Sequence, residues 1–294
     1  MNQKLSSSFK LKYLNLLLVG IALAYLTYKF NDYHQQNYGQ LFIDILTNGN
    51  TSLLFVALIL IPFNYGIEAK KWQILLSPLQ HVSWINAFKS ILAGITISIF
   101  TPNRTGEVIG KVVYLDLQEK MKAALLNFSG SMAQMICTSL AGLWGTIIYL
   151  NFYSFKEIDL PATQVIYAIA SICTLLAFLI YFNQQKFFTW ISNKKWAKKI
   201  HISFTNQQQF KSSLQVKVLV LSIIRYIVFS SQLVLLLNFC GIHATIFQLF
   251  LLCTVFFLVM WFLPSFALTE LGVRGSVAVM LFQNVSENIS GALL

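Results

Sequence analysis

The chain has 294 residues, of which 56% are hydrophobic, 15% aromatic and only 11% charged, with a formal net charge of +11. Soluble domains carry about 25% charged residues, so this balance, with a mean hydropathy of +0.66, excludes an ordinary globular enzyme, a disordered chain and a nucleic-acid-binding module. The basic excess lies among 25 Phe, 12 Tyr and 6 Trp in apolar runs, which points to a bilayer, where lysines orient the chain and touch anionic lipid.

A spanning helix needs about 20 mostly apolar residues. In chain order the candidates are 14–28, 53–66, 84–100, 123–150, 164–182, 216–237 and 246–263, followed by the shorter 273–282. The alternation of a β-barrel is absent. The expected fold is therefore all-α: a polytopic integral membrane protein of about seven to eight helices, forming a single transmembrane domain over residues 1–294. Lys4, Lys10 and Lys12 precede the first span and no small-residue cleavage site follows it, so it reads as a signal anchor with the N-terminus in the cytoplasm. Segment 183–217 holds seven lysines and no acid, with Phe187, Phe188, Trp190 and Trp196 among them. It reads as a basic cytoplasmic loop lying at the membrane surface. Segment 151–163, with Lys156 against Glu157 and Asp159, belongs outside.

Parity then constrains the middle of the chain. If 53–66 returns the chain to the cytoplasm and 123–150 leaves it, residues 72–121 cross an even number of times. They contain one long apolar run, 84–100, which ends in Thr101-Pro102-Asn103-Arg104-Thr105-Gly106-Glu107. The simplest solution is a re-entrant pair: 84–100 enters, the chain breaks at Pro102, and 107–117 returns. Such a break is tolerated where the backbone is buried in protein or lines a wet cavity. The alternative is that 84–100 spans fully and the charge bias misleads.

The chain has 18 Lys but only three Arg. Arg104 follows the Pro102 break. Arg274 follows a second break, Pro264 to Gly272, which contains Glu270. Arg225 lies near the middle of the span 216–237. Surface orientation needs only Lys, whereas Arg suits planar recognition of phosphate or carboxylate, and charge at membrane depth is costly enough to mark a functional candidate. Glu107 and Lys111 are four apart and share a helix face, and Gly106 with Gly110 permits close helix approach. Arg104, Glu107, Lys111, Arg225, Glu270 and Arg274 are the candidate headgroup-binding residues, with Pro102, Gly106, Pro264 and Gly272 as helix-break positions. The competing reading is an internal ion pair of Arg104 or Arg274 with Glu107 or Glu270. Two broken helices approached from opposite sides are the arrangement expected of inverted repeats, whose helix N-termini point at an anionic group near the midplane.

Other motifs carry no chemistry. Cys137, Cys173, Cys240 and Cys253 are far apart, and His34, His81, His201 and His243 are isolated, so neither a metal site nor a cofactor is expected. Gly106 to Val112 imitates a P-loop but is one residue short and lacks the Ser or Thr. Trp72 and Trp84 read as interface anchors, Trp261 as packing, and Gly142 with Gly145 as a close-packing pair.

These residues carry a resemblance. The order Lys71-Trp72, then Pro102-x-Arg104-x-Gly106-Glu107 with Lys111 one turn later, then Pro264 leading into Gly272-Val273-Arg274, resembles the lysylphosphatidylglycerol synthase transmembrane (flippase-like) family over nearly the whole chain. Ser265, Phe266 and Ala267 replace the usual glycines, and Gly275 stands where an acid often follows the Gly-Val-Arg. The end, 286–294, reads like the start of another helix, so the chain reads as truncated or as a short variant. The resemblance implies a lipid-accessible cavity and, without a soluble synthase domain, a stand-alone member in the bacterial inner membrane. Its partners would be membrane lipids with an anionic headgroup or a polyprenyl phosphate, and no nucleic acid. The leading reading is a lipid flippase or transporter and not an enzyme. The alternatives are an enzyme or accessory subunit of lipid-linked saccharide metabolism, for which Glu68 and Asp116 are the nearest acids, and a structural membrane partner.

Overall fold

The computed structural model describes residues 43, 45–47, 49–101, 105–115, 120–149, 151, 160–192, 211–242, 244–262 and 267–282. Among these the chain is helical, without strands. The helices are α1 (Thr51–Leu76), α2 (Trp84–Ser98), α3 (Gly106–Tyr114), α4 (Lys120–Tyr149), α5 (Leu160–Phe182), α6 (Gln184–Ser192), α7 (Ser212–Phe239), α8 (Ile246–Phe262) and α9 (Ala267–Phe282). The span expected at 14–28, the outside segment 152–159 and the end 286–294 lie outside the described residues.

Helices α1, α4 and α7, of 26, 30 and 28 residues, are long and apolar enough to cross a membrane. At about 1.5 Å per residue they exceed the roughly 30 Å hydrocarbon core. Shorter apolar helical stretches follow at Tyr167–Phe182, Ile246–Trp261 and Val273–Phe282. Phe55, Leu58, Ile59 and Phe63 on α1, with Ile169, Ile172, Leu175 and Leu179 on α5, are exposed. Water-soluble proteins rarely tolerate apolar surface on that scale. The chain is a polytopic all-α membrane protein.

Helix α7 runs along α1, α4 packs on both α7 and α8, and α9 packs on α8. One core gathers Trp72, Leu75 and Leu76 of α1 with Ile91, Leu126 and Tyr181, and a second gathers Val234, Leu249, Leu252 and Phe282. Small residues set the spacing. Gly142 and Gly145 on α4 face Leu258 and Thr254 of α8 so closely that a side chain on either glycine would collide.

Helices α2 and α3 pack chiefly on each other. With 15 and 9 residues they span about 22 and 14 Å, so neither alone is long enough to cross the hydrocarbon core. Their crossing is backbone on backbone: a Cβ on Gly110 would lie 2.6 Å from the Gly94 Cα and 2.7 Å from the Ala93 carbonyl oxygen. Gly106 opens α3, and its N–H donates to the Thr101 hydroxyl at 2.8 Å. Pro102 and Arg104 lie outside the described residues.

Four expectations need correction. Helix α1 continues ten residues past Gly66 to Leu76, because the polar residues there find partners inside the bundle. Helix α7 begins at Ser212, so the basic segment 183–217 is not one loop: its two ends are helical, as α6 and the first turns of α7. Gly272 is no helix break, since α9 has resumed by Ala267 and carries Glu270, Gly272 and Arg274 within it. One interior Gly costs only about 1 kcal/mol, which burial of Val273, Val279 and Phe282 offsets. Trp72 is 1% exposed and belongs to the core, whereas Trp261 is 47% exposed on the outer face. Trp84 is exposed at the start of α2.

Candidate functional site: a buried cluster around Glu68

The last turns of α1 place Glu68 and Lys71 on one face, three residues apart, and turn it into the bundle. Both are buried. The Lys71 ammonium lies 2.7 Å from Glu68 Oε2. From α3, Lys111 reaches Glu68 Oε1 at 3.2 Å, Glu107 Oε1 at 2.6 Å and Asn127 Oδ1 of α4 at 3.2 Å. A lysine ammonium has three N–H donors, so each finds an acceptor and the side chain can be only 1% exposed. Gly94 makes room for it, because a Cβ there would lie 2.9 Å from Lys111 Cγ.

From α7, Arg225 Nη1 lies 3.2 Å from Glu68 Oε2, and its Nε donates to Asn64 Oδ1 at 3.0 Å. The same Nη1 reaches Gln134 Oε1 at 3.5 Å, and Gln134 donates onward to the Ser222 carbonyl at 3.3 Å. One carboxylate thus receives three cations from three helices. Among the described residues, with Glu107, the group holds three cationic and two anionic side chains, one cation in excess. The two ends of the cluster are the accessible ones: the Arg225 side chain is 23% exposed and that of Glu107 34%.

An apolar cavity of about 210 Å³ opens between α4, α5 and α7, lined by Ile136, Leu140, Phe178, Leu219, Ile223 and Tyr226 among others. Among the described residues no group of His, Cys, Asp and Glu could hold a metal ion.

A family model described as lysylphosphatidylglycerol synthase TM region matches residues 14–293, nearly the whole chain. The chain belongs to this family. As a lysylphosphatidylglycerol synthase TM region it is a membrane protein of lipid-related function. No curated protein and no solved structure matches it.

In this family member three of the expected site residues, Glu107, Lys111 and Arg225, converge. Glu107 pairs with Lys111. Arg104 and the Glu270 side chain lie outside the described residues. Arg274 is exposed on α9, whose main contacts are with α8. The sequence reading missed Glu68 as the hub, with Lys71, Asn64, Asn127 and Gln134 as its supports. One signal was available: Glu68 and Lys71 stand at helical ion-pair spacing directly after an apolar run. Of the two acids named for the enzyme reading, Glu68 is buried against three cations, and Asp116 lies outside the described residues.

Proposed function

We propose that this chain is a flippase-like transporter in the bacterial cytoplasmic membrane, with its N-terminus in the cytoplasm. It would handle a lipid with an anionic or aminoacylated phosphate headgroup, or a polyprenyl-phosphate-linked lipid. The observation that carries this reading is the cluster of three cations on one carboxylate, deep between helices and one charge in excess. Charged groups at membrane depth are functional candidates by default. A phosphodiester bears one negative charge and would neutralise the cluster, and Glu68 occupies the position such a group would take. Arg225 is the accessible cation, with a planar guanidinium suited to phosphate. The apolar cavity between α4, α5 and α7 would suit the start of an acyl chain. Glu107, the accessible acid, would receive the amino group of an aminoacylated headgroup.

The competing reading, a purely structural ion network, draws on the three filled donors of Lys111. Arg225 separates the two. Glu68 keeps Lys71 and Lys111 when Arg225 is removed, so the fold should survive. Leaflet exchange of labelled phosphatidylglycerol, its lysyl form and a polyprenyl phosphate would be measured in proteoliposomes, for wild type and Arg225→Ala. Exchange of one of these lipids that drops about tenfold or more in a variant melting like wild type supports transport. Wild-type protein that exchanges none of them sinks it.

A further inference from the structure

A second basic assembly sits about two turns from the first and differs from it in kind. A cavity of about 590 Å³ lies where the end of α1, the following turn and the start of α7 meet. Lys70, His81, Lys211 and Lys217 line it, from three separate segments. No acid lines it among the described residues, and no ion pair joins Lys70, Lys211 or Lys217 to a described carboxylate.

Its frame is held by hydrogen bonds. Gln73 donates to the Val82 carbonyl at 2.9 Å and accepts from Lys70 at 2.9 Å. This ties the turn carrying His81 to α1 and draws Lys70 toward the cavity. Lys211 is the N-cap residue of α7 and has no acceptor with which to cap it, so the positive end of a 28-residue helix adds to the lysine field. Lys217 stands eight residues before Arg225, about 12 Å along α7. The cavity is therefore separate from the Glu68 cluster and nearer the end of the bundle.

Three lysines with no counter-ion among the described residues, plus a helix N-terminus, call for more negative charge than a phosphodiester has. We infer that this cavity binds a phosphomonoester dianion, carried by a lipid headgroup or free as inorganic phosphate. The site stands apart from the transport reading and survives its failure.

The test uses purified full-length protein in phosphatidylcholine nanodiscs. Calorimetric titrations with inorganic phosphate, short-chain phosphatidic acid and short-chain phosphatidylglycerol would be run on wild type, Lys211→Gln/Lys217→Gln, the matching double Arg variant, and Lys120→Gln. Lys120 is an exposed lysine at the start of α4 and serves as a control for charge loss elsewhere.

The expected result is saturable binding of phosphatidic acid or inorganic phosphate at one site. Binding should fall about tenfold or more in the double Gln variant, return in the double Arg variant, and stay unchanged in Lys120→Gln. Phosphatidic acid binding well above inorganic phosphate would name a lipid as the source, and equal binding would name the free anion; both support the dianion site. Three results would overturn it: no saturable binding of either probe to protein that melts normally, phosphatidylglycerol binding as tightly as phosphatidic acid, or an equal loss in Lys120→Gln. Both replaced lysines are exposed, so the double variant should fold, and a thermal melt on each protein checks that.

Discussion

Lys70 and Lys71 are neighbours in sequence and stand in opposite surroundings. Lys71 is 2% exposed and bound to Glu68; Lys70 is exposed and lines an acid-free cavity. The roughly 100° between successive helix residues turns one into the bundle and the other toward its end. The two assemblies that result are built differently. Around Glu68, carboxylates nearly balance the cations, so the charges stabilise one another in a buried place. Around Lys70 no described carboxylate balances them, so the field is directed at whatever enters. Lys71-Trp72 is thus a structural element of the core, and Lys70 before it faces the cavity.

This contrast can be broken in graded steps. The largest effect should come from Glu68→Gln, which leaves Lys71, Lys111 and Arg225 buried without their common anion. Loss of one partner from a buried ion group costs about 3–5 kcal/mol, and thermal melting should show early unfolding. Next is Gly110→Ala. Its Cβ would meet the Gly94 and Ala93 backbone, which cannot move aside as a side chain tip can. Overpacking of this kind costs about 1–3 kcal/mol, and it should also displace Lys111, so exchange activity and melting fall together. Lys71→Gln should be milder than Glu68→Gln, because Glu68 keeps Lys111 and Arg225. A melting loss as large as that of Glu68→Gln would show that Lys71 alone neutralises the carboxylate. Lys70→Gln should be the smallest, with melting unchanged and phosphate binding weakened a few-fold. A clear melting loss from Lys70→Gln would erase the distinction between the two assemblies.

The α2–α3 hairpin is legible in the sequence because two local signals agree. One long apolar run stands where parity asks for two crossings, and Pro102 and glycines spaced four apart follow it. The convergence of Glu107, Lys111 and Arg225 is legible only in part. Each stands out as a charge in apolar surroundings, but their meeting point, Glu68, lies past the end of an apolar window that closes at Gly66. Hydropathy penalises a Glu and a Lys equally whether they leave the membrane or pair inside the bundle, so it cannot locate such a hub. Gly272 fails as a break for a related reason. Break signals are local, whereas the helix through it is held by residues farther along that pack on α8.

Pro62 interrupts α1 six residues before Glu68. Proline has no N–H, so the Leu58 carbonyl loses its helical donor and the rod is weakened at that level. Helix α7 spans the weak point. Gln232 donates to the Ala57 carbonyl at 3.1 Å on one side of Pro62, and Arg225 holds Asn64 and Glu68 on the other. Arg225 and Gln232 thus tie α7 to α1 on both sides of the level where the helical hydrogen bond is missing, and Lys111 of α3 fastens the same Glu68 from a second direction.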